Sequence, residues 1–402
     1  MGRIDRRGFL RAGAGAAALA GLAACSTRGA SEPRTGEARA LIDPHDAPFD
    51  HVVVLTLSGR SFDHLLGWLP DAQGRQQGLA YPDVDGAPRE TWDLGVDLEA
   101  CGSTTPPPDW TAAAVHLGDD DNRGFLLTVD PGDLTPISYF SRRAVPALGE
   151  LATSFTTLGN YFASLNAGAV PNRMYLHAAG TDLDVDDDSP SAIRTTIWDR
   201  LRAAGLTGRC YGVGADGASF VTRFGAGSDG IVRPYRAILG DARSGRLPTV
   251  AFVEAPTGPD IRADQTTVAE VFSALRRGPR WDRTVLVAHY DQWGGYFDHV
   301  PPPKVIDANR NPNPGPHPDY SQLGFRVPCV VASPFSIGAP MVGGTPFEHT
   351  SILRMIEWRW NLPALSVRDR NARNLAEALD FTRSRSTLDA LTYRAPPDRG
   401  CR

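Results

Sequence analysis

Two residues, Asp291 and His349, have side chains suited to metal or phosphate chemistry and stand at the ends of predicted elements. Asp291 follows an apolar run at 284–290, which places its carboxylate at a strand tip, where it could ligate a metal or cap a turn. His349 directly precedes a helical pattern at 350–360, whose N-cap is predicted to be Thr350. Its imidazole could ligate a metal, bind phosphate or pack in the core.

Two further segments carry charged and hydroxyl side chains. The segment LSGRSFDHLLG at 57–67 begins where a strand ends, and its Arg60, Ser61 and His64 stand near the start of a short amphipathic helix. Such a helix start can hold an anion or a metal, although capping and packing would account for Asp63 as well. In NAGAVPNRMYLHAAG at 166–180, Arg173 closely follows a proline suited to a first helical turn. Arg173 could bind a substrate anion or pair with a buried carboxylate.

Short apolar runs separated by helical patterns indicate the fold that positions these residues. The runs lie at 51–57, 209–213, 249–254, 284–290 and 327–333. They are apolar on both faces, which is typical of strands buried in a parallel sheet. The helical patterns lie at 191–204, 266–277 and 350–360. We therefore predict an α/β fold, a mostly parallel sheet sandwiched by helices, with its site beyond the carboxyl ends of the strands. Stretches rich in proline, glycine and aspartate at 70–125 and 300–325 predict long loops that form a cap.

Composition narrows the class of protein. Hydrophobic residues make up 42% of the 402-residue chain, which is enough for a large core and excludes a globally disordered chain. The formal net charge of −5 gives no basic field for nucleic acid, so we expect no nucleic-acid partner. The five cysteines form no C-x-x-C pair, which argues against a zinc knuckle. Cys329, within VPCVVAS, is predicted to be a core residue.

The first 24 residues have the pattern of an export signal: a charged start with Arg6 and Arg7 of twin-arginine type, then a short apolar stretch. Residues 22–25, LAAC, resemble a bacterial lipobox, which predicts lipidation of Cys25; the alternative is ordinary cleavage near Ala24 with Cys25 unmodified. We expect export by the twin-arginine route and association, through a lipid on Cys25, with the outer face of the cytoplasmic membrane in the cell envelope. Residues 25–48 would then form a tether and 49–402 a single α/β domain.

Five segments, taken together and in order, resemble the bacterial phosphoesterase family of phospholipases C and acid phosphatases. They are HVVVLTLSGRSFDH, VPNRMYL, TVLVAHYDQWGGYFDHVPPP, GFRVPCVVASPF and EHTSILRMIEWR, within residues 49–381. The resemblance implies an alkaline-phosphatase-like fold and hydrolysis of phosphate esters, phospholipids among them. It also implies attack on phosphorus by a hydroxyl nucleophile, with a bound metal ion steadying the charge.

Several positions depart from the pattern of that family. Ser58 and Gly59 replace a Glu and an Asn that ligate the metal, and Gln292 and Trp293 replace a Glu and a His. Ala169 stands at the position of the nucleophile, and a methyl group cannot attack phosphorus. A Glu-His-Pro segment of the family corresponds to APTGP at 255–259. Asp291 is the metal-ligand position that remains, and a divalent ion needs several hard donors.

Two hypotheses of different classes account for these departures. In the first, the chain is an exported family member whose activity is impaired or lost; it needs no cofactor and binds a phosphate ester or phospholipid-like ligand in the old cleft. In the second, it is an active phosphoesterase with a rebuilt site, a divalent metal, and Ser58 or Ser61 as nucleophile. The predicted catalytic residues are Asp291, His349 and His64, with Asp291 as the metal ligand if a metal binds. The predicted phosphate-binding residues are Arg60, Ser61 and Arg173.

Overall fold

A seven-stranded sheet forms the centre of the structure, a computed structural model that describes residues 40–95, 105–119, 121–181, 194–212, 230–255, 260–309, 319–383, 388–393 and 395. All of these residues fall within one compact unit, residues 35–402. The predicted signal with Cys25, and the predicted tether up to residue 39, lie outside the described residues.

The strands and helices follow one another along the chain with long connections between them. The strands are β1 (His51–Leu57), β2 (Ala80–Pro82), β3 (Pro88–Glu90), β4 (Trp92–Asp93), β5 (Ser138–Tyr139), β6 (Thr156–Thr157), β7 (Tyr161–Phe162), β8 (Gly208–Gly212), β9 (Val232–Pro234), β10 (Val250–Glu254), β11 (Thr284–Tyr290), β12 (Cys329–Ala332) and β13 (Phe347–Glu348). The α-helices are α1 (Phe62–Leu66), α2 (Trp110–Leu117), α3 (Pro146–Ser154), α4 (Ala169–Ala178), α5 (Ile197–Ala203), α6 (Ala237–Arg243), α7 (Ile261–Arg277), α8 (His349–Trp360) and α9 (Val367–Asn371).

The central sheet is mostly parallel, which confirms the predicted fold class. Its strand order is β6-β12-β11-β1-β10-β8-β9. The five strands from β11 to β9 run parallel to their neighbours, whereas β12 and β6 add an antiparallel edge. β10 and β11 are buried along their whole length, as strands covered on both faces must be. Cys329, predicted to be a core residue, is fully buried in β12.

Two groups of helices pack around the sheet. In the first group α7 packs against α3 and α6, and in the second α8 packs against α4 and α9. The helix predicted at 266–277 begins earlier, at Ile261, because the side chain of Asp260 caps it by accepting a hydrogen bond from the N–H of Arg262 at 2.9 Å. No helix in the described part of the chain is both long enough and apolar enough to cross a membrane.

The segments predicted as a cap do cover the turn that follows β11, but they contain more regular structure than loops alone. The three short strands β2, β3 and β4 and the helix α2 lie within them. A second hydrophobic cluster packs Tyr81 and Phe125 of this region against Trp293, Phe297 and Phe325. Trp293 is fully buried, and its indole Nε1 donates to Nδ1 of His116 at 3.2 Å. The indole therefore fills space under the cap.

Candidate active site

The loops that follow β1 and β11 lie side by side at one edge of the sheet. Leu57 pairs with Tyr290 at the strand ends, and the N–H of Asp291 donates to the carbonyl of Leu57 at 3.0 Å. Further along, the N–H of Arg60 donates to the carbonyl of Gln292, also at 3.0 Å. The parallel register thus brings the two predicted segments together where strands end, the usual place for a site in such a sheet.

Gly59 and Gly294 allow these two loops to approach each other. Both have positive φ, 75° and 71° respectively. A Cβ on Gly294 would lie 2.0 Å from the carbonyl oxygen of Gly59, and a Cβ on Gly59 would lie 3.3 Å from Nε2 of Gln292. The side-chain oxygen of Gln292 accepts a hydrogen bond from the N–H of Gly294. The space beside Gly59 is therefore occupied by an amide committed to the loop backbone.

Arg173 forms an ion pair with the carboxylate of Asp291. Its Nε, on the second turn of α4, lies 2.8 Å from Oδ2 of Asp291. The aspartate side chain is completely buried, whereas 17% of the arginine side chain is exposed. Oδ1 of Asp291 has no hydrogen-bond partner among the residues that the structure describes. Pairing with a buried carboxylate was one of the two interpretations of Arg173, and here the protein's own cation balances the charge that a metal ion would otherwise balance.

The loop that leads into α4 is shaped by Asn172 and presents Ala169 as the first helical residue. Nδ2 of Asn172 donates to the carbonyls of Leu165, Ala167 and Gly168 at 3.1, 2.8 and 2.9 Å. Its Oδ1 accepts from the N–H of Leu165 at 2.9 Å. The backbone at this position is therefore held by the amide of Asn172, while residue 169 itself contributes only a partly exposed methyl group.

Both ring nitrogens of His349 are occupied by protein groups. Nε2 lies 2.8 Å from the carbonyl of Asp291, and Nδ1 lies 2.8 Å from the hydroxyl of Tyr161. The same hydroxyl lies 3.3 Å from Nδ1 of His289, whose Nε2 is 3.0 Å from Oγ1 of Thr56. Burial lowers the pKa of both imidazoles, so each is neutral. His349 thus orients the Asp291 backbone and anchors a buried hydrogen-bonded chain.

Sequence reasoning missed Tyr161, His289 and Thr56. A signal for two of them existed, because Thr56 and His289 are polar residues within apolar strands and occupy paired positions of β1 and β11. Tyr161 carried no such signal, since its position depends on a two-residue strand, β7, that pairs with β13.

The serine and arginine that follow β1 are also held by the fold. The Ser61 hydroxyl is fully buried, donates to the carbonyl of Phe297 at 2.5 Å and accepts the N–H of His64 as the N-cap of α1. Arg60 is buried, donates to the carbonyl of Gly59 at 2.7 Å and lies 5.1 Å from the ring centroid of Tyr296. Ser58, by contrast, is partly exposed at the loop surface. Of the two candidate serines, solvent reaches Ser58.

His64 is completely buried. Its Nδ1 is 2.7 Å from the carbonyl of Ser138, and its ring stacks on Tyr296 with centroids 3.8 Å apart. Burial, with the charge of Arg60, lowers the pKa of His64, so the ring is neutral. The structure gives this histidine a packing position beneath the loop after β1.

A second carboxyl near Asp291 was not singled out from the sequence. Asp264, on the first turn of α7, is buried and accepts a hydrogen bond from the hydroxyl of Tyr290 at 2.8 Å. Burial raises the pKa of Asp264 to about 7, against the opposing charge of Arg60. The site therefore contains one carboxyl paired with an arginine and another that is partly protonated at neutral pH.

A cluster of Asp63, Asp298 and His299 is the one group of three potential metal ligands found in the described ranges. The guanidinium of Arg326 lies inside it, with Nε 2.8 Å from Asp298 and Nη2 3.2 Å from Asp63. Hydrogen bonds from backbone N–H groups, together with Nδ1 of His299, leave each of the four carboxylate oxygens with at least one partner. The cluster does not fit a divalent metal, because Arg326 already supplies the cation and every carboxylate oxygen is engaged.

The strand-tip residues do not fit a metal either. Asp291 is paired with Arg173, Gln292 is bonded to the backbone, and Ser58 and Gly59 provide no carboxylate. Residues 256–259, which correspond to part of the family's Glu-His-Pro segment, lie outside the described residues.

A family model for the "Phosphoesterase family" matches residues 49–363 of the chain. The chain is 28% identical over 417 residues to phospholipase C B of Mycobacterium tuberculosis, a match that covers 84% of this chain and 78% of the relative. It is 26% identical over 407 residues to non-specific phospholipase C3 of Arabidopsis thaliana, covering 88% and 75%. Non-specific phospholipase C1 of the same plant is 29% identical over 384 residues, covering 82% and 70%.

Comparison with solved structures gives further matches, of which two are reported. One is a protein in the alkaline phosphatase superfamily from Vibrio parahaemolyticus, with a TM-score of 0.39 and 12% identity over 83% of this chain and 71% of the other. The second is the phosphonate monoester hydrolase of Agrobacterium radiobacter, with a TM-score of 0.40 and 10% identity over 82% and 77%.

Proposed function

Because the chain belongs to the phosphoesterase family, we propose that it is a member in which hydrolysis is impaired or lost and the strand-tip cleft binds a phosphate ester. The ion pair between Arg173 and Asp291 carries this proposal. A guanidinium cannot take the place of a metal ion that polarises a phosphoryl oxygen and activates a nucleophile. With alanine at position 169, the attacking hydroxyl is missing as well, and losing a nucleophile costs orders of magnitude in rate.

The same groups support binding of an anion. Arg173 is partly exposed where it meets Asp291, and Arg60 is buried in the neighbouring loop after β1. A phosphate oxygen can accept hydrogen bonds from a guanidinium without a metal. The natural ligand proposed is a phosphate ester or a phospholipid-like molecule.

An assay of the purified full chain tests this proposal. Substrates are 4-nitrophenyl phosphate, bis(4-nitrophenyl) phosphate and phosphatidylcholine, with elemental analysis for divalent metals. We expect negligible turnover, no stoichiometric metal, and binding of inorganic phosphate that weakens about 10-fold in Arg173→Gln. Arg243→Gln, at an exposed arginine on α6, is the matched control and should bind as the parent does. Turnover that disappears in Asp291→Ala, together with stoichiometric metal, would overturn the proposal.

The alternative is an active phosphoesterase with a rebuilt site, in which the partly exposed Ser58 is the nucleophile. In that case Ser58→Ala should abolish turnover. Ser61→Ala should mainly reduce stability, because the Ser61 hydroxyl is buried and forms the N-cap of α1. If the first proposal is correct, Ala169→Thr restores no activity, because the metal ligands remain absent.

For the cellular location we propose export by the twin-arginine route and lipidation at Cys25. The supporting observation is the sequence of residues 1–25, with Arg6, Arg7 and the LAAC segment. Replacing both arginines by lysine should leave the full-length precursor in the cytoplasm. Cys25→Ser should release the exported protein from the membrane fraction. Membrane attachment that survives Cys25→Ser would contradict lipidation at this residue.

A further inference from the structure

A cavity of about 530 Å³ lies against α8, α9 and the short helical turn Leu375–Ala378. Its lining includes Arg354 and Trp358 of α8, Arg370 of α9 and Leu41. Since an α-helix rises about 1.5 Å per residue, Arg354 and Trp358 stand about 8 and 14 Å along α8 from His349. The residues that line the cavity do not include Asp291, Arg173 or His349, so the proposed phosphoesterase function does not use it.

The cavity has an excess of positive charge. Within its wall, Arg373 is paired with Glu377, with Nε 2.8 Å from Oε2, so these two charges balance. The guanidinium groups of Arg354 and Arg370 have no ion pair or hydrogen bond to any residue that the structure describes. Near Arg354, burial raises the pKa of Glu357 to about 10, so this carboxyl supplies no negative charge at neutral pH. Two arginines are left to attract an anion.

The walls of the cavity are held in place by contacts of their own. Nη1 of Arg373 donates to the carbonyls of Gly343 and Thr345 at 3.2 and 3.1 Å, and its guanidinium lies 4.1 Å from the ring centroid of Phe347. Trp358 stacks on Phe381 with centroids 6.3 Å apart and an angle of 18° between the rings. A fixed indole beside two unpaired guanidinium groups combines an apolar surface with an oxyanion site before any ligand arrives.

We propose that this cavity binds a small organic phosphate or phosphonate dianion. Arg354 and Arg370 would hold the oxyanion, and Trp358 would contact an apolar or aromatic substituent. The volume falls within the range of about 300–1,000 Å³ that is usual for small-molecule sites. Guanidinium groups suit phosphorus oxyanions because they donate several hydrogen bonds in a planar fork.

Phenylphosphonate is the probe, because it has the dianion and the ring but no ester bond to hydrolyse. Titration calorimetry on the full chain should show binding that weakens at least about 10-fold in the double variant Arg354→Gln/Arg370→Gln. Trp358→Leu should weaken phenylphosphonate but leave methylphosphonate, which lacks the ring, nearly unchanged. Arg243→Gln should bind like the parent.

Two variants keep the test decisive. Arg370→Gln alone changes an exposed side chain and should weaken binding in the same direction, without risk to folding. Arg173→Gln removes the phosphate-binding arginine proposed for the strand-tip cleft, so the phenylphosphonate binding that persists in this variant should still weaken when the Arg354→Gln/Arg370→Gln double substitution is added. Binding that is lost in Arg173→Gln and retained in the double variant would overturn the proposal, as would the absence of any measurable binding. Neither result depends on whether the strand-tip site is catalytically active.

Discussion

At the scale of single residues, the pair formed by Arg173 and Asp291 decides what the cleft can do. A carboxylate that is completely buried needs a partner, and here the partner is a guanidinium on the second turn of α4. The two opposite charges cancel, and solvent reaches part of the Arg173 side chain. This arrangement supports the proposal that the site holds an anion and does not activate water.

We expect Arg173→Gln to lower the free energy of unfolding by about 3 kcal/mol, because it leaves the Asp291 charge buried without its partner. The double variant Arg173→Gln/Asp291→Asn should recover much of this loss, as a double-mutant cycle by urea unfolding would show. Arg142→Gln is the control: its partner Glu150 is exposed, so the cost should stay below about 1 kcal/mol. Additive effects of the two substitutions would show that the pair contributes nothing.

Glu357 should make the stability of the protein depend on pH. Burial, together with the Asp369 carboxylate, raises the pKa of Glu357 from 4.5 to about 10. The unfolded chain releases this proton near the lower value, so above it the folded state binds more protons. The free energy of unfolding therefore falls as the pH rises between these two values.

Replacing this carboxyl by an amide tests the effect. Urea unfolding of Glu357→Gln should show a smaller loss of stability between about pH 5 and about pH 9 than the parent chain. Glu150→Gln, at an exposed glutamate of α3, should leave the slope of the parent unchanged. A parent chain with the same slope as Glu357→Gln would contradict the raised pKa.

At the scale of elements, the start of α8 differs from the prediction in an instructive way. The sequence pattern predicts Thr350 as N-cap, but the helix begins at His349 and is capped by Glu348, which accepts from the N–H of Thr350 at 2.9 Å. A buried glutamate can serve as a cap here because Arg368, which is distant in sequence, pairs with it at 3.0 Å. The local pattern located the helix to within one residue but could not reveal this long-range partner.

The contact between the loops after β1 and β11 depends on Gly294. We expect Gly294→Ala to lower the free energy of unfolding by more than about 2 kcal/mol, because its Cβ would lie 2.0 Å from the carbonyl oxygen of Gly59 at a φ of 71°. Gly86→Ala is the matched control, with a φ of 78° and no atom within 4 Å of the added Cβ. Urea unfolding of both variants separates the steric cost from the cost of φ. Equal losses would mean that the loops can move apart freely.

At the scale of the whole molecule, the sequence predicted the sheet better than the contacts that surround it. Apolar runs identified the strands β1, β8, β10, β11 and β12, because burial on both faces leaves a local pattern. Arg326 and Asp63 are 263 residues apart and meet only after the sheet has formed. No local pattern connects them, which is why the cluster around Arg326 was not predicted.

This cluster has a consequence for the stability of the whole chain. Because Arg326 supplies the positive charge among Asp63, Asp298 and His299, we expect excess EDTA to leave the thermal unfolding midpoint unchanged. Arg326→Gln should lower the midpoint sharply, because it leaves the buried carboxylates of Asp63 and Asp298 without their cation. A fall of several degrees on adding EDTA to the parent chain would show that a metal contributes to folding.

The hydrogen bonds of Asn172 to the backbone near residue 169 allow different side chains at that position. The side chain of Asn172, three residues away, makes four hydrogen bonds to the backbone before position 169. The backbone conformation there therefore does not depend on the side chain of residue 169. A single substitution at position 169 could therefore add or remove a hydroxyl without changing the backbone of the strand-tip site. In such a scaffold, a nucleophile can be gained or lost while the fold stays the same.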